Sequence, residues 1–247
     1  MALSDFQRLI RHVSKEATIY DTPSGTYLRW SPGAGAELWI QANLEHEIIG
    51  CNPHFSGEGK LRVGITETFH SLHSPLEGRL VGWVEPKNEK VPTSGLYPLT
   101  AEMPDFTLSE PFLFKHPLMT LQVAAFAEVV SCYANERAFA MSHNAPTMAV
   151  PTFQQSIEVE EDGSPALAKI VGFVRKTELR LNPLTEQLFY AILLETHGGT
   201  IDVVAPVDTL LDTPIIDSVL AGSFWLSARA EKKLSLPRPI LKQQAWA

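Results

Sequence analysis

Apolar and polar residues change places at nearly every step through much of the first third of the chain. "TYLRW", "AELWIQA", "GKLRVGITETF" and "GRLVGWVEP" each alternate with period two, and "PSG" and "SPGAG" punctuate them. Period two places successive side chains on opposite faces, so these runs predict strands joined at proline and glycine turns. Ahead of them, Leu3, Phe6, Leu9, Ile10 and Val13 recur at helical spacing among charged residues. That spacing predicts a short amphipathic helix over 3–16, with Ser4 as its N-cap.

The pattern then breaks. Residues 85–112 hold five prolines and little periodicity, which predicts a long surface connection. Beyond it, "HPLMTLQVAAFAEVVSCYANERAF" has one charge, Glu128, between Pro117 and Ala134. A proline suits a first helical turn, and an almost wholly apolar helix is buried on most sides. The expectation is a central buried helix over 117–134, too short and too polar along Thr120, Glu128 and Ser131 to span a bilayer. After "TFQQSIEVE" come a long strand "AKIVGFVRKTELRLN", a strand "QLFYAILLET", the tight turn "HGG", a strand "TIDVVA" and a last strand "DSVLAGSFWLSAR". The fold class that follows is α+β and predominantly antiparallel β, with two β subdomains packed around the helix. The expected divisions are 1–110, 111–150 and 151–247.

A long first strand with an internal glycine, Gly172, then a hairpin, an irregular link and a closing strand resembles an oligonucleotide/oligosaccharide-binding (OB) barrel over residues 165–230. The likeness concerns topology alone and implies a sharp bend at Gly172. Similar phrases recur in the first half: "AELWIQA" beside "GTIDVVA", and "SPLEGRLVGWV" beside "TPIIDSVLAGSFW". They raise a duplicated barrel against a coincidence of two hairpins.

Composition narrows the functions. At 45% hydrophobic and 19% charged residues, the chain can bury a core. Residues 169–247 carry nine Lys/Arg against eight Asp/Glu, and residues 1–168 eleven against twenty. Such an acidic surface disfavours nucleic acid, whose affinity comes mainly from phosphate neutralisation. Two cysteines, no zinc-type spacing and no apolar leader predict a reduced, cytoplasmic protein without a membrane partner.

Candidate chemistry is sparse. His46, His54, His70 and His73 lie near Glu45, Glu47 and Glu67, and the set His54, His70 and His73 is the one metal possibility. On extended chain, however, an i,i+3 pair such as His70 and His73 faces opposite ways, which favours solvated imidazoles. Cys51 near His54 is the one nucleophile–base candidate. "GEGKLRVG" has glycines but leads into a strand, so it lacks the helix N-terminus of a phosphate cradle. Phe189 and Tyr190 face opposite ways on one strand, as do Phe224 and Trp225, so one of each pair must leave the core. With Arg175, Lys176 or Arg180 beside it, that aromatic could stack on a base or sugar. The function expected is non-enzymatic, a binding or protein-interaction module or homo-oligomer, with no cofactor. The alternative is a hydrolase-like or metal-dependent enzyme sited in residues 45–73.

Overall fold

A computed structural model of the chain describes residues 10, 12–113, 115–143, 150–155 and 166–231. Most of the expected helix over 3–16, the turn at 160–165 and the tail from 232 lie outside these residues. Of that helix, Ile10 and His12–Ser14 are helical, and Ile10 and Val13 are buried.

Four strands, β1 (Thr18–Thr22), β2 (Gly25–Trp30), β3 (Ala36–Ala42) and β4 (Ile48–Phe55), form an antiparallel sheet in chain order. One face packs Leu28, Trp30 and Ile40 against Ile10 and Val13; the other packs Tyr27 and Trp39 against Leu76.

A second, nine-stranded sheet contains β5 (Leu61–His70), β6 (Gly78–Val84), β7 (Tyr97–Glu102), β8 (Leu118–Tyr133), β9 (Thr152–Gln154), β10 (Leu167–Leu181), β11 (Leu188–Thr196), β12 (Gly199–Pro206) and β13 (Val219–Ala230). The residues expected to form a buried central helix are therefore a strand. β8 pairs with β13 along Leu121–Tyr133, with β5 through Leu118–Leu121, and with β12 through Ala124–Phe126. Val123, Ala124 and Ala125 are buried in succession, so the middle of β8 is covered on both faces and does not alternate, while Glu128 and Val129 beyond it are exposed. An apolar run of this kind cannot be assigned by periodicity alone. Its β-branched and aromatic content (Val123, Phe126, Val129, Val130) is the strand signal. The proline-rich stretch over 85–112 is likewise more than a surface connection, since it contains β7 and a helix, Phe106–Leu113.

The pairings close two rings. β5–β6–β7 is an antiparallel meander; β7 joins β13 in parallel, β13 joins β8, and β8 returns to β5. β10–β11–β12 is a second meander; β12 joins β8 in parallel, and β13 returns to β10. Each half is thus three strands and a long fourth, and each long strand completes the ring of the other half. The correspondence extends to detail. The first strand exchanges partners at Val63-Gly64 in β5 and at Phe173 in β10, next to Gly172, and a bulge follows at Ile65/Glu67 and at Val174/Lys176. The strands with matching order lie in 61–133 and 167–230, whereas the phrase "AELWIQA" is β3 of the separate sheet. A Cβ on Gly172 would stand 2.4 Å from the Glu195 carbonyl oxygen, which explains the glycine at that crossing. The expected hairpin at "HGG" is antiparallel, with Thr196 opposite Gly199. Gly198 and Gly199 hold φ of +94° and +152° there, values that L side chains rarely adopt. One core, including Val63, Leu80, Leu99, Val123, Ile170, Leu194, Val203 and Leu226, fills both rings.

Candidate functional site

The seam between the two sheets gathers a cluster of buried polar groups, Glu37, His54, Asp105, Asp202 and Ser227. From β3, Glu37 has a fully buried side chain and accepts from Trp39 Nε1 at 2.9 Å, from Arg29 and from Arg229 Nη1 at 3.3 Å. Arg229 also lies over the Trp39 ring, 4.6 Å from its centre, and 3.4 Å from the carboxylate of Asp105. Two guanidiniums thus meet two carboxylates, so the charges of Glu37 and Asp105 are balanced locally. Burial alone would raise the Glu37 carboxyl, but the Arg29 bond and the Arg229 charge outweigh it and hold it below its ordinary value.

His54 on β4 lies in the same seam. Its Nδ1 is 2.8 Å from Ser227 Oγ and its Nε2 is 2.6 Å from Gln122 Oε1. The Gln122 amide donates to Phe55 O and Asp202 Oδ2 at 2.9 and 2.7 Å, so its oxygen must face His54. Nε2 therefore carries the proton, and Nδ1 accepts from Ser227. Burial, helped by the Arg229 charge, lowers the His54 pKa to about 4. Asp202 accepts from the Glu58 and Gly59 amides as well, at 3.0 and 2.8 Å. The backbone of the glycine loop at 57–59 is thus tied to the chain's own Asp202 carboxylate. Burial raises the Asp202 pKa, and these donors restrain the rise.

A serine beside a histidine invites comparison with a hydrolase, but Ser227 and His54 are both buried, at 0% and 2% exposure. Both ring nitrogens of His54 are bonded within the seam, and a nucleophile must reach its substrate. Cys51 faces the opposite side of β4, against the core around Ile40, and burial pushes its thiol up to about 12.

The C-terminal aromatics and cations lie elsewhere. Phe224 is fully buried; Phe189 is buried edge-on to Phe55; Tyr190 packs on the core; and Trp225 rests against Phe126, with ring centres 5.2 Å apart. Arg175 is paired with Glu195 and Asp217, Lys176 with Glu58 and Glu178, and Arg180 with Glu178. No aromatic stands free beside an unpaired cation among these residues.

A cleft of about 900 Å³ lies on the outer face of β5–β6–β7. β6 shows why it forms: "GRLVGWV" alternates, with Leu80 and Val84 in the core and Arg79, Val81 and Trp83 outward. Register lays three rows across the floor: Phe69, Arg79 and Glu102; Glu67, Val81 and Thr100; Gly64, Trp83 and Pro98. At one end Pro92 folds onto Gly64, where a Cβ would lie 2.3 Å from the proline ring. At the other, the loop 71–77 contributes His73 and Glu77, and β4 adds Asn52. Glu77 sits over Gly50, its Oε1 2.9 Å from where a Cβ would be. Its burial, with the Glu102 charge adding to it, raises its pKa, against a hydrogen bond from Ser71.

His70 and His73 both line this cleft, but His70 Nε2 is turned to Glu110 Oε1 at 2.7 Å, and His54 is in the seam. Among the described residues no three His, Cys, Asp or Glu side chains are grouped to hold a metal ion. No described helix is long and apolar enough to cross a membrane. The sequence does not single out Arg79, Glu77, Trp83 or Glu102. The available signal is the outward tryptophan in the alternating β6. No protein-family model, curated protein or solved structure matches the chain.

Proposed function

We propose that this chain is a non-enzymatic binding protein whose ligand occupies the cleft on β5–β6–β7. The observation that carries this reading is the cleft itself. Its volume of about 900 Å³ falls among small-molecule sites, which run to roughly 300–1,000 Å³. Its floor combines apolar surface (Phe69, Val81, Trp83) with a few polar groups able to orient a ligand (Glu67, Arg79, Glu102). Rigid strands position those groups, which suits recognition. The likeness to an OB barrel enters here as a proposal about the ring of β10, β11, β12, β8 and β13, whose meander and glycine-marked first strand support it. The pairing of Arg175, Lys176 and Arg180 with carboxylates favours a ligand other than a polyanion.

A thermal-shift screen of chemically diverse small molecules tests the reading, because a ligand selective for the folded state raises the melting temperature. Hits that stabilise the parent chain and fail to stabilise Trp83→Ala are expected. Hits indifferent to Trp83→Ala and Glu102→Gln alike would place the ligand elsewhere.

A further inference from the structure

Resting on the reading of the cleft as a binding site, we infer that its ligand is an organic cation, an ammonium or guanidinium group on a short alkyl stem. Three carboxylates, Glu67, Glu77 and Glu102, line the cleft against one guanidinium, Arg79. With the imidazoles neutral, the lining is formally −2. Arg79 lies between Phe69 and Glu102 in register, and its Nη2 is 3.9 Å from Glu102 Oε1, beyond hydrogen-bond distance, so Glu102 keeps bonding capacity towards the cleft. Glu67 is different. It projects from β5 beside Val81 and has no hydrogen-bond or ion-pair partner among the described residues. Elsewhere on the surface several carboxylates are already taken up by cations. Arg62, Arg175 and Lys176 each hold two carboxylates. The cleft is therefore where unmatched negative charge coincides with concavity, and concave walls concentrate a field.

The apolar surface sets the rest of the ligand. Trp83 and Val81 stand one row apart on β6, and Phe69 lies on β5 opposite Arg79. A tryptophan face attracts a cation as well as an alkyl chain. A charged head near Glu67 and Glu102, with a stem along Val81 and Trp83, would satisfy both. A free polyamine and a lysine or arginine side chain of a polypeptide share this chemistry.

Calorimetric titration of the full chain with spermidine, with an acetylated and amidated Lys-Ala repeat peptide and with citrate separates the cases. The two cations are expected to bind, with affinity falling as salt is raised. The double variant Glu67→Gln/Glu102→Gln, which keeps shape and removes charge, is expected to lose about tenfold or more. Tighter binding of the peptide identifies a polypeptide source, and tighter binding of spermidine a free amine. Cation affinity unchanged in the double variant overturns the inference. Citrate or a neutral ligand binding in a Trp83-dependent way, with no cation binding, overturns the cation assignment while leaving the cleft as a site. A chain that binds none of the probes, and yields no Trp83-dependent hit in the wider screen, fails both.

Discussion

Gln122 decides the protonation of its neighbours. Its two amide hydrogens are committed to Phe55 O and Asp202, so its oxygen fixes His54 as the Nε2–H tautomer. Gln122→Leu would leave the imidazole N–H and an Asp202 lone pair without partners in the interior. A loss of about 1–3 kcal/mol is expected from the urea midpoint. His54 adds a pH dependence whose sign is fixed. Its ordinary value is 6.5 and its folded value about 4, so the unfolded chain takes up a proton first as pH falls. Stability is whole above about 6.5 and declines towards 4, by about 3 kcal/mol from this residue. Glu37, held low, loses its contribution at still lower pH, while Asp202, held high, acts in the opposite sense. Urea midpoints at several pH values should fall less steeply for His54→Gln than for the parent; identical slopes would remove His54 from the account. At the same scale, Arg175, Lys176 and Arg180 already have carboxylate partners. No salt-sensitive binding of single-stranded DNA or RNA is expected at physiological salt, and micromolar binding lost on Arg175→Ala would contradict that.

The legibility of each element depended on how many of its faces meet water. β6 has one face in the core and one outward, and its run is assigned from alternation to within two residues; β3 is buried on both faces, but Glu37 and Gln41 still alternate with Leu38, Ile40 and Ala42 in "AELWIQA". The hairpin at Thr196–Gly199 is legible because its backbone demands glycine. β8 is not, because Val123, Ala124 and Ala125 are buried in succession and a bulge shifts its register between Ala127 and Val129, so no period of two survives to separate strand from helix. β7 hides among prolines. Its Pro98 faces outward opposite Trp83, and the ladder sites at Thr100 are occupied by the Gln155 amide at 2.7 Å in both directions. The cleft escapes sequence reading for a related reason: Glu67, Arg79 and Glu102 become neighbours only through the register of three strands. Gly172 gives the element-scale test. In Gly172→Ala the new methyl meets a backbone oxygen rather than a yielding side chain. A loss of about 1–3 kcal/mol is expected in the unfolding midpoint, and a neutral substitution would show that β10 shifts freely at the crossing.

At the scale of the whole molecule, the exchange of long strands joins the halves. β8 belongs to the first half by sequence and closes the ring of the second, and β13 does the converse. Residues 151–247 alone would lack β8, leaving β12 and β13 with open edges and Val203 and Leu226 without the strand that covers them. That fragment is expected to show no cooperative thermal transition, whereas the full chain should unfold in one step. A cooperative fold in the fragment would mean that the shared strands are dispensable. The joined rings hold β5–β6–β7 rigid beneath the cleft, and the central claim is that a ligand binds there. Backbone amide chemical shifts of the full chain, followed during titration with spermidine, test it most directly. The account predicts changes concentrated at 66–83 and 98–102, with the β10–β11 amides unmoved. Changes centred on β10 and β11, with none along β6, would contradict it.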